Sequence, residues 1–428
     1  MSLIRRWGII FLVCFLCVSA CSKGEQETDT LTKETTQEFI EISWEGVPSG
    51  LSQNGILTNK GLLQYYDFAA EQSVVVCDKP NCEHDTVTCN GKLDNSRATF
   101  YYEGKLYYIS YREMNKMALY IADKNATNRQ EVLTDIPGDR IKKMLITKDG
   151  QLVICFALTK IRFKDTNVTS YGSAGENIVL IDLKQETMSV ILETENIQYN
   201  SVIQALYYDN SNVYYGLERY DEDISEYVEP QVDENGNIVN DELVDISDNL
   251  NCHMVIGEIN LENGSYDEIY DYSYIYKNHG MYSVFDVNDS KMYAVDYKKN
   301  IVLAINIETK EERTLTAFNQ MTCKIFIDEN ELVVQCVNPE QLQKSEYTYY
   351  TLEGKELRSV PMNGYQLAML IGMNNERYLF TYQDEKLDSN GSVIRKYAWC
   401  DKDEFKQGKI ELHPIEFKEI SFDIEEPY

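Results

Sequence analysis

The sequence predicts an all-β chain built as a β-propeller of about seven four-stranded blades, with six to eight possible. Three observations support this. One hairpin pattern recurs along the chain, a second hairpin type alternates with it, and no stretch keeps helical apolar spacing over three turns. A large multi-sheet β-sandwich is the alternative. The propeller is favoured because the two hairpin types alternate regularly.

The first repeated element is an apolar strand, a tight polar turn and a strand rich in Tyr, Val and Leu. Asp, Asn, Gly or Ser occupies each turn, and these residue types favour a tight reversal. The segment "NGILTNKGLLQYYD" (54–67) is interpreted as the earliest copy. The others are predicted at 101–110, 146–158, 207–218, 287–297, 327–337 and 372–382.

The second element is a strand, a turn that begins with Asp or Asn, and another strand. Two consecutive hairpins make one four-stranded unit, and most units recur at about the spacing typical of propeller blades. Copies of this second hairpin are predicted at 62–72, 119–128, 179–189, 256–266, 303–313, 349–358 and 397–405.

The propeller domain is predicted to span 39–428, with strands from both ends closing the ring. "FIEISW" (39–44) and "IEFKEISF" (415–422) are the candidate closing strands. One blade carries an insertion, 220–251, with eleven acidic residues and no Lys or Arg. A solvated surface excursion is favoured there over a cation-binding or partner-binding lobe, with a small hairpin expected at 232–239.

The first residues predict a location outside the cytoplasm. Residues 1–20 have a basic start, a short apolar run and small residues before Cys21, as in a secretory signal. "VSAC" at 18–21 resembles a bacterial lipobox, in which the cysteine is lipidated and becomes the mature N-terminus. Residues 21–38 are almost devoid of apolar side chains and predict a disordered tether. The expected location is the cell membrane, lipid-anchored, on the extracellular side.

The charge disfavours nucleic acid as a partner. The formal net charge is −30, so the chain repels phosphate backbones. Beyond the first residues no long apolar run exists, so contact with the membrane is expected only through the lipid anchor. The partner is expected to be an extracellular protein or a glycan, and the chain is expected to be a monomer.

Recognisable catalytic motifs are absent from the sequence: no GxSxG, GxGxxG, P-loop or HExxH is present. Of four histidines, His84 lies in a cysteine cluster, and His253 and His279 stand apart from any nucleophile motif. No catalytic residue is therefore predicted. A glycan-active enzyme with paired carboxylates stays open, because nothing singles out one pair among 70 acids.

The one dense constellation is "CDKPNCEHDTVTC" (77–89), with Cys77, Cys82, His84 and Cys89. Three thiolates and one imidazole are the ligand set of a structural Zn²⁺ site, and Zn²⁺ is the only cofactor expected. Disulfides are the alternative, because an exported chain can oxidise. Three clustered cysteines cannot all pair among themselves, so one would need a distant partner.

The lipobox, the polar tether, the Tyr-rich blades and "VCDKPNCEHDTVTCNG" resemble lipoproteins of Clostridia-type gut bacteria with a TolB-like or DUF5050-like β-propeller. Cys77, Pro80, Cys82, His84 and Cys89 carry the C-x-x-P-x-C-x-H cluster of that group. The resemblance implies a fold and an address, and no established activity.

A ligand-binding or protein-interaction module is the favoured function, since propeller faces present loops on a rigid scaffold. The first alternative is the glycan-active enzyme. The second is the solute-capture component of an importer, whose usual two-lobed α/β build conflicts with the scarcity of helical patterns.

Overall fold

Antiparallel sheets account for nearly all of the structure, as the alternating patterns predict. The structure is a computed structural model, and the residues that it describes belong to one unit, Thr36–Tyr428. They are 39–42, 50–59, 61–84, 88–93, 95–164, 167–193, 201–208, 213–221, 231–232, 238–240, 251–275, 281–288, 291–296, 299–318, 321–337, 345–363, 365–387 and 393–417.

The first four blades follow one another along the chain, and consecutive strands pair within each blade, with two exceptions: β1 pairs with β9, and β14 pairs with β17 across an inserted hairpin. Blade 4 also carries a two-stranded hairpin, β15–β16, within the predicted acidic insertion. The strands are β1 (Phe39–Ile42); β2 (Gly55–Asn59), β3 (Leu63–Asp67) and β4 (Gln72–Val75) in blade 1; β5 (Ser96–Tyr102), β6 (Lys105–Glu113), β7 (Lys116–Asp123) and β8 (Gln130–Pro137) in blade 2; β9 (Arg140–Thr147), β10 (Gln151–Lys164), β11 (Asn167–Asp182) and β12 (Thr187–Glu193) in blade 3; β13 (Ser201–Tyr208), β14 (Val213–Tyr220), β15 (Gln231–Val232), β16 (Ile238–Asn240), β17 (Asn251–Ile259) and β18 (Tyr266–Ile275) in blade 4.

The last three blades repeat the same order. A single short helix, α1, separates the last two strands and replaces the turn predicted within 397–405. The elements are β19 (Met281–Asn288), β20 (Lys291–Asp296), β21 (Ile301–Asn306) and β22 (Glu312–Ala317) in blade 5; β23 (Met321–Asp328), β24 (Glu331–Val337), β25 (Ser345–Thr351) and β26 (Glu356–Pro361) in blade 6; β27 (Gln366–Met373), β28 (Arg377–Leu387), β29 (Val393–Asp401), α1 (Lys402–Lys406) and β30 (His413–Ile415) in blade 7.

Blade 1 follows the plan of the other blades, although its named strands number three. Leu51 forms an isolated bridge with Ile56, so the chain before β2 holds the innermost position. The amide of Phe68, after β3, donates to the carbonyl of Asn54 over 3.0 Å. Blade 3 makes the same contact from Leu183, after its third strand, to Gly150. The strands β2, β3 and β4 are therefore the second, third and fourth strands of the blade.

Seven seams between neighbouring blades contain seven buried apolar clusters, so the ring is closed. The closing seam joins blade 7 to blade 1, where Ile56 and Tyr66 pack with Leu379 and Trp399. Because each blade is packed on both faces, a middle strand such as β14 is buried almost throughout. Burying one large apolar side chain contributes about 1.5–3 kcal/mol. The structure confirms a β-propeller of seven blades.

The strands predicted to close the ring behave differently from that prediction. The segment 39–44 contributes β1, which pairs antiparallel with β9 of blade 3 instead of with blade 1 or 7. It lies along the edge of β9 that faces away from β10, which is the channel edge of an innermost strand. At the other end, β30 completes blade 7, and Phe417 reaches Tyr66 of blade 1. Residues 418–422 lie outside the described part.

The two faces of the ring differ in the length of their connections. One face carries the turns after the first and third strands, and we call it the turn face. The other carries the connections after the second and fourth strands, and we call it the loop face. The two longest connections, 76–95 and 221–250, leave and rejoin on the loop face. The longest strands, β10 with 14 residues and β11 with 16, also extend toward it.

The described residues include no helix that is long and apolar enough to cross a membrane. The one helix found among them, α1, has five residues.

Candidate metal centre

All four predicted ligands converge in one connection. Cys77, Cys82, His84 and Cys89 lie between β4 of blade 1 and β5 of blade 2, in residues 76–95, which we call the cysteine loop. One potential ligand atom from each lies within 4.8 Å of the others. The Nδ1 atom of His84 is 3.4 Å from Sγ of Cys89. The four side chains could therefore hold one metal ion, as the spacing predicts.

A tight turn brings Cys82 back toward Cys77. The amide of Cys82 donates to the carbonyl of Lys79 over 3.3 Å. Pro80 presets the first central position of this turn, and Asn81 takes a positive φ of 57° at the second. The motif thus contains the turn residues that its own geometry needs.

A second turn presents Cys89. The amide of Lys92 donates to the carbonyl of Cys89 over 3.1 Å, with Asn90 and Gly91 between them. A side chain at Gly91 would have its Cβ 3.0 Å from Val75 and 3.2 Å from the carbonyl of Val76. Glycine at this position therefore lets the loop lie directly against the outer strand of blade 1.

Backbone amides point at two of the three sulfur atoms. Burial opposes ionisation of Cys77, but hydrogen bonds from the amides of Lys79 and Asn90, and from Cys89 and Cys82, bring its pKa below its usual value. Burial raises the pKa of Cys89 to about 11, although the amide of Gly91 also reaches its sulfur. Amide donors stabilise a thiolate, which is the form that binds metal.

The cysteine loop is tied to blade 2 by polar side chains. The carboxylate of Asp78 accepts from Asn90 over 2.6 Å and also from Asn125, in the turn between β7 and β8. The guanidinium of Arg129 donates to the carbonyl of Asn90. Sequence reasoning missed Asp78, Asn125 and Arg129, because their contacts join positions that are far apart in the chain.

The location of the loop differs from that of an ordinary connection between an outer strand and the next inner strand, which is expected beside the central channel. The ligand-bearing part lies at the outer part of the seam, against β4 and the β7–β8 turn. The amide of Leu63 at the start of β3 donates to the carbonyl of Gly91 over 2.7 Å and fixes it there.

Disulfides do not link the cysteines whose side chains the structure describes. Cys155 and Cys336 are buried in strands. Cys252 and Cys400 are buried in the same way. The remaining site prediction, lipidation of Cys21, lies outside the described residues.

Two other histidines, His253 and His413, contact carboxylates. His253 lies between Asp221, 3.1 Å from Nε2, and Asp271, 2.9 Å from Nδ1. His413 stacks on Trp399 with ring centroids 4.1 Å apart and contacts Glu71. These contacts give both rings structural partners. His279 lies outside the described part.

A centre with four protein ligands is coordinatively closed. Structural zinc sites use this arrangement, whereas catalytic sites keep one position for water or substrate. The cluster therefore fits a role in holding the loop rather than in turning over a substrate.

No protein-family description and no curated protein matches this chain. Among solved structures it is similar to dipeptidyl peptidase 4 of Porphyromonas gingivalis, with 10% identity, a TM-score of 0.43, and 88% of this chain and 50% of that chain covered. It is also similar to acylaminoacyl peptidase of Pyrococcus horikoshii, with 10% identity, a TM-score of 0.44, and 87% and 51% covered. The computationally designed Ika8 protein matches with 10% identity, a TM-score of 0.37, and 85% and 98% covered. The chain spans about half the length of the two peptidases.

Proposed function

We propose that this chain is a propeller scaffold that binds a protein or glycan partner through its loop face. The observation that carries the proposal is the asymmetry of the ring. Seven apolar seams hold the blades together, while the two longest connections leave and rejoin on one face, toward which the longest strands also extend. Long connections presented by a rigid scaffold are typical of recognition sites.

The proposal includes a lipid anchor, which is inferred from the sequence alone. Residues 1–20 would direct export, Cys21 would carry the lipid, and 22–38 would separate the domain from the membrane. The chain would then face the extracellular side as a monomer, as expected for a DUF5050-like lipoprotein.

Zn²⁺ is the metal that the donor set favours. Three sulfur ligands and one imidazole suit a tetrahedral Zn²⁺ ion, and softness of the sulfur ligands disfavours Mg²⁺ and Ca²⁺. The residues that would bind it are Cys77, Cys82, His84 and Cys89. The ion would hold both turns of the loop at the seam between blades 1 and 2.

Photo-crosslinking from the two faces tests the binding proposal. Met114, in the turn after β6, is exposed on the loop face, and Glu103, in the turn after β5, is exposed on the turn face of the same blade. A photoreactive residue at each position, in the full chain on intact cells, should give a discrete product from position 114 and little from position 103. Equal labelling from both, or none from either, would count against loop-face binding.

Metal analysis tests the zinc proposal. The full chain purified without chelator should contain one Zn²⁺ per molecule. His84→Ala should lose it, whereas His253→Ala should keep it, because His253 is outside the cluster. An absence of metal together with disulfides mapped to Cys77, Cys82 or Cys89 would refute the site.

A further inference from the structure

The cysteine loop contains thiols in two different settings. Cys77 and Cys82 are half-buried, whereas Cys89 is only 3% exposed and lies beside the ring of His84. The turn from Lys79 to Cys82 brings the two half-buried cysteines toward each other on one short segment. Their sulfur atoms are among the ligand atoms that lie within 4.8 Å of one another.

We propose that Cys77 and Cys82 form a reversible oxidation site, at which a peroxide converts the two thiols into a disulfide and so releases the metal ion. This inference rests on the metal site of the proposed function. Oxidation is selective for accessible sulfur, and Cys77 and Cys82 are the two more accessible cysteines of the cluster.

The chemistry balances with one peroxide. One sulfur attacks a peroxide oxygen; an S–O bond forms, the O–O bond breaks, and the product is a sulfenic acid and water. The second sulfur attacks the sulfenic sulfur; the S–S bond forms, the S–O bond breaks, and the hydroxyl leaves as water. Because metal-bound sulfur is thiolate, the two sulfur atoms lose two electrons, and the peroxide takes two protons from solvent and is reduced to two molecules of water.

Metal release follows because a disulfide removes two of four ligands at once. Only His84 and Cys89 then remain as ligands, so the affinity of the site for the metal ion falls. A thiol reductant restores both ligands, so the reaction is reversible in the presence of metal.

The structural effect should stay local. Asp78 and Asn90 flank the ligands and connect the loop to Asn125 and Arg129 of blade 2. When the ligands part, these hydrogen bonds lose their fixed geometry. The apolar cluster of the same seam, which includes Leu57, lies beneath the loop and stays packed.

The chain provides its own comparison for selectivity. Cys155, Cys252, Cys336 and Cys400 are buried within strands and contribute to the seams. A buried thiol in an apolar strand reacts slowly with solvent oxidants. Peroxide should therefore modify the cysteine loop before it reaches any of these four.

The test is a hydrogen peroxide titration of the metal-loaded full chain, with a chromogenic chelator reporting free Zn²⁺ and peptide mass spectrometry reporting disulfides. One Zn²⁺ should be released for each Cys77–Cys82 disulfide, and reductant plus Zn²⁺ should reverse both changes. Deuterium exchange should rise in 77–93 and 123–129 and stay unchanged in the other seams. Metal retention despite oxidation, or a first disulfide that includes Cys89, would overturn the proposal.

Two variants keep the result interpretable. Cys82→Asp retains a ligand atom but cannot form the disulfide, so it should keep its metal at peroxide concentrations that empty the parent. Cys400→Ala should behave like the parent. If the untreated parent contains no metal, the zinc site fails, and the titration of the metal-free chain still decides the oxidation site. A Cys77–Cys82 disulfide there supports it, and its absence ends it.

Discussion

Two seams of the ring use polar groups in opposite ways. At the seam between blades 6 and 7, the buried carboxylate of Asp328 accepts from Tyr378 and contacts Nζ of Lys402 at 2.5 Å and of Lys406 at 2.9 Å. That network is complete within the chain. At the seam between blades 1 and 2, four ligand atoms converge on a position that could hold one metal ion.

The comparison separates two kinds of seam. We call a seam fixed when the chain supplies all the groups that hold it, and conditional when it needs a bound ion. At the Asp328 seam one carboxylate contacts two ammonium groups, and the carboxylate and Lys402 are buried away from solvent. The cysteine loop is half exposed, and in our proposal its hydrogen bonds to blade 2 depend on what its sulfur atoms bind. We therefore expect the first seam to report on the stability of the ring, and the second to report on metal and oxidant.

The largest expected effect is at the fixed seam. Asp328→Ala leaves the buried ammonium of Lys402 without its carboxylate, and breaking a buried ion pair costs about 3–5 kcal/mol. Urea unfolding of the full chain should show the lost free energy as a lower midpoint. Asp123→Ala is the matched control, because Asp123 pairs with Lys105 at the surface, and its midpoint should barely change. Equal shifts in both variants would contradict the buried network.

The next effect is at the conditional seam, and it should depend on metal. A ligand that binds only the folded state adds about 2.7 kcal/mol when its free concentration is 100 times its Kd. Excess Zn²⁺ should therefore raise the unfolding midpoint of the parent and of Asp328→Ala, but not that of His84→Ala. A rise in His84→Ala equal to that of the parent would place the binding elsewhere in the chain.

Acid should separate the two seams further. Although burial opposes its ionisation, Lys402, Tyr378 and Lys406 hold the pKa of Asp328 below its usual value. A carboxyl with a depressed folded-state pKa contributes stability above its unfolded pKa of about 3.9, and loses it as pH falls through the folded pKa.

The measurement is urea unfolding of the parent and Asp328→Asn at a series of pH values. The free-energy gap between them should be constant above about pH 5 and should shrink at lower pH, because the parent carboxylate becomes protonated. A gap that widens as pH falls would have the wrong sign for a depressed pKa.

The sequence predicted local features better than distant ones. The hairpins, the blade number and the four clustered ligands all follow from patterns among neighbouring residues. The structure confirms the seven-bladed fold and brings the ligands together. The Asp328 network could not be predicted, since Asp328 and Lys402 are 74 positions apart. The pairing of β1 with β9 was missed for the same reason: a short alternating strand fits many edges, and nothing local selects one.

The closing seam offers a third, intermediate case and the smallest predicted effect. Arg377 of blade 7 lies 5.0 Å from the ring centre of Phe68 in blade 1 and 5.1 Å from that of Trp399, and its guanidinium donates to the carbonyl of Gln53 over 3.3 Å. Arg377→Lys keeps the charge but loses the planar group that stacks between two rings, at a cost of about 1 kcal/mol.

The control for this variant is Arg97→Lys, because Arg97 is exposed and stands 5.6 Å from the ring centre of Tyr111 within one blade. Urea unfolding should show a lower midpoint for Arg377→Lys and an unchanged one for Arg97→Lys, both with and without added Zn²⁺. The midpoint shift caused by Arg377→Lys should be the same with and without Zn²⁺, because the closing seam uses only groups that the chain supplies. If added Zn²⁺ abolished the effect of Arg377→Lys, the seams would be coupled around the ring, and the division into fixed and conditional seams would fail.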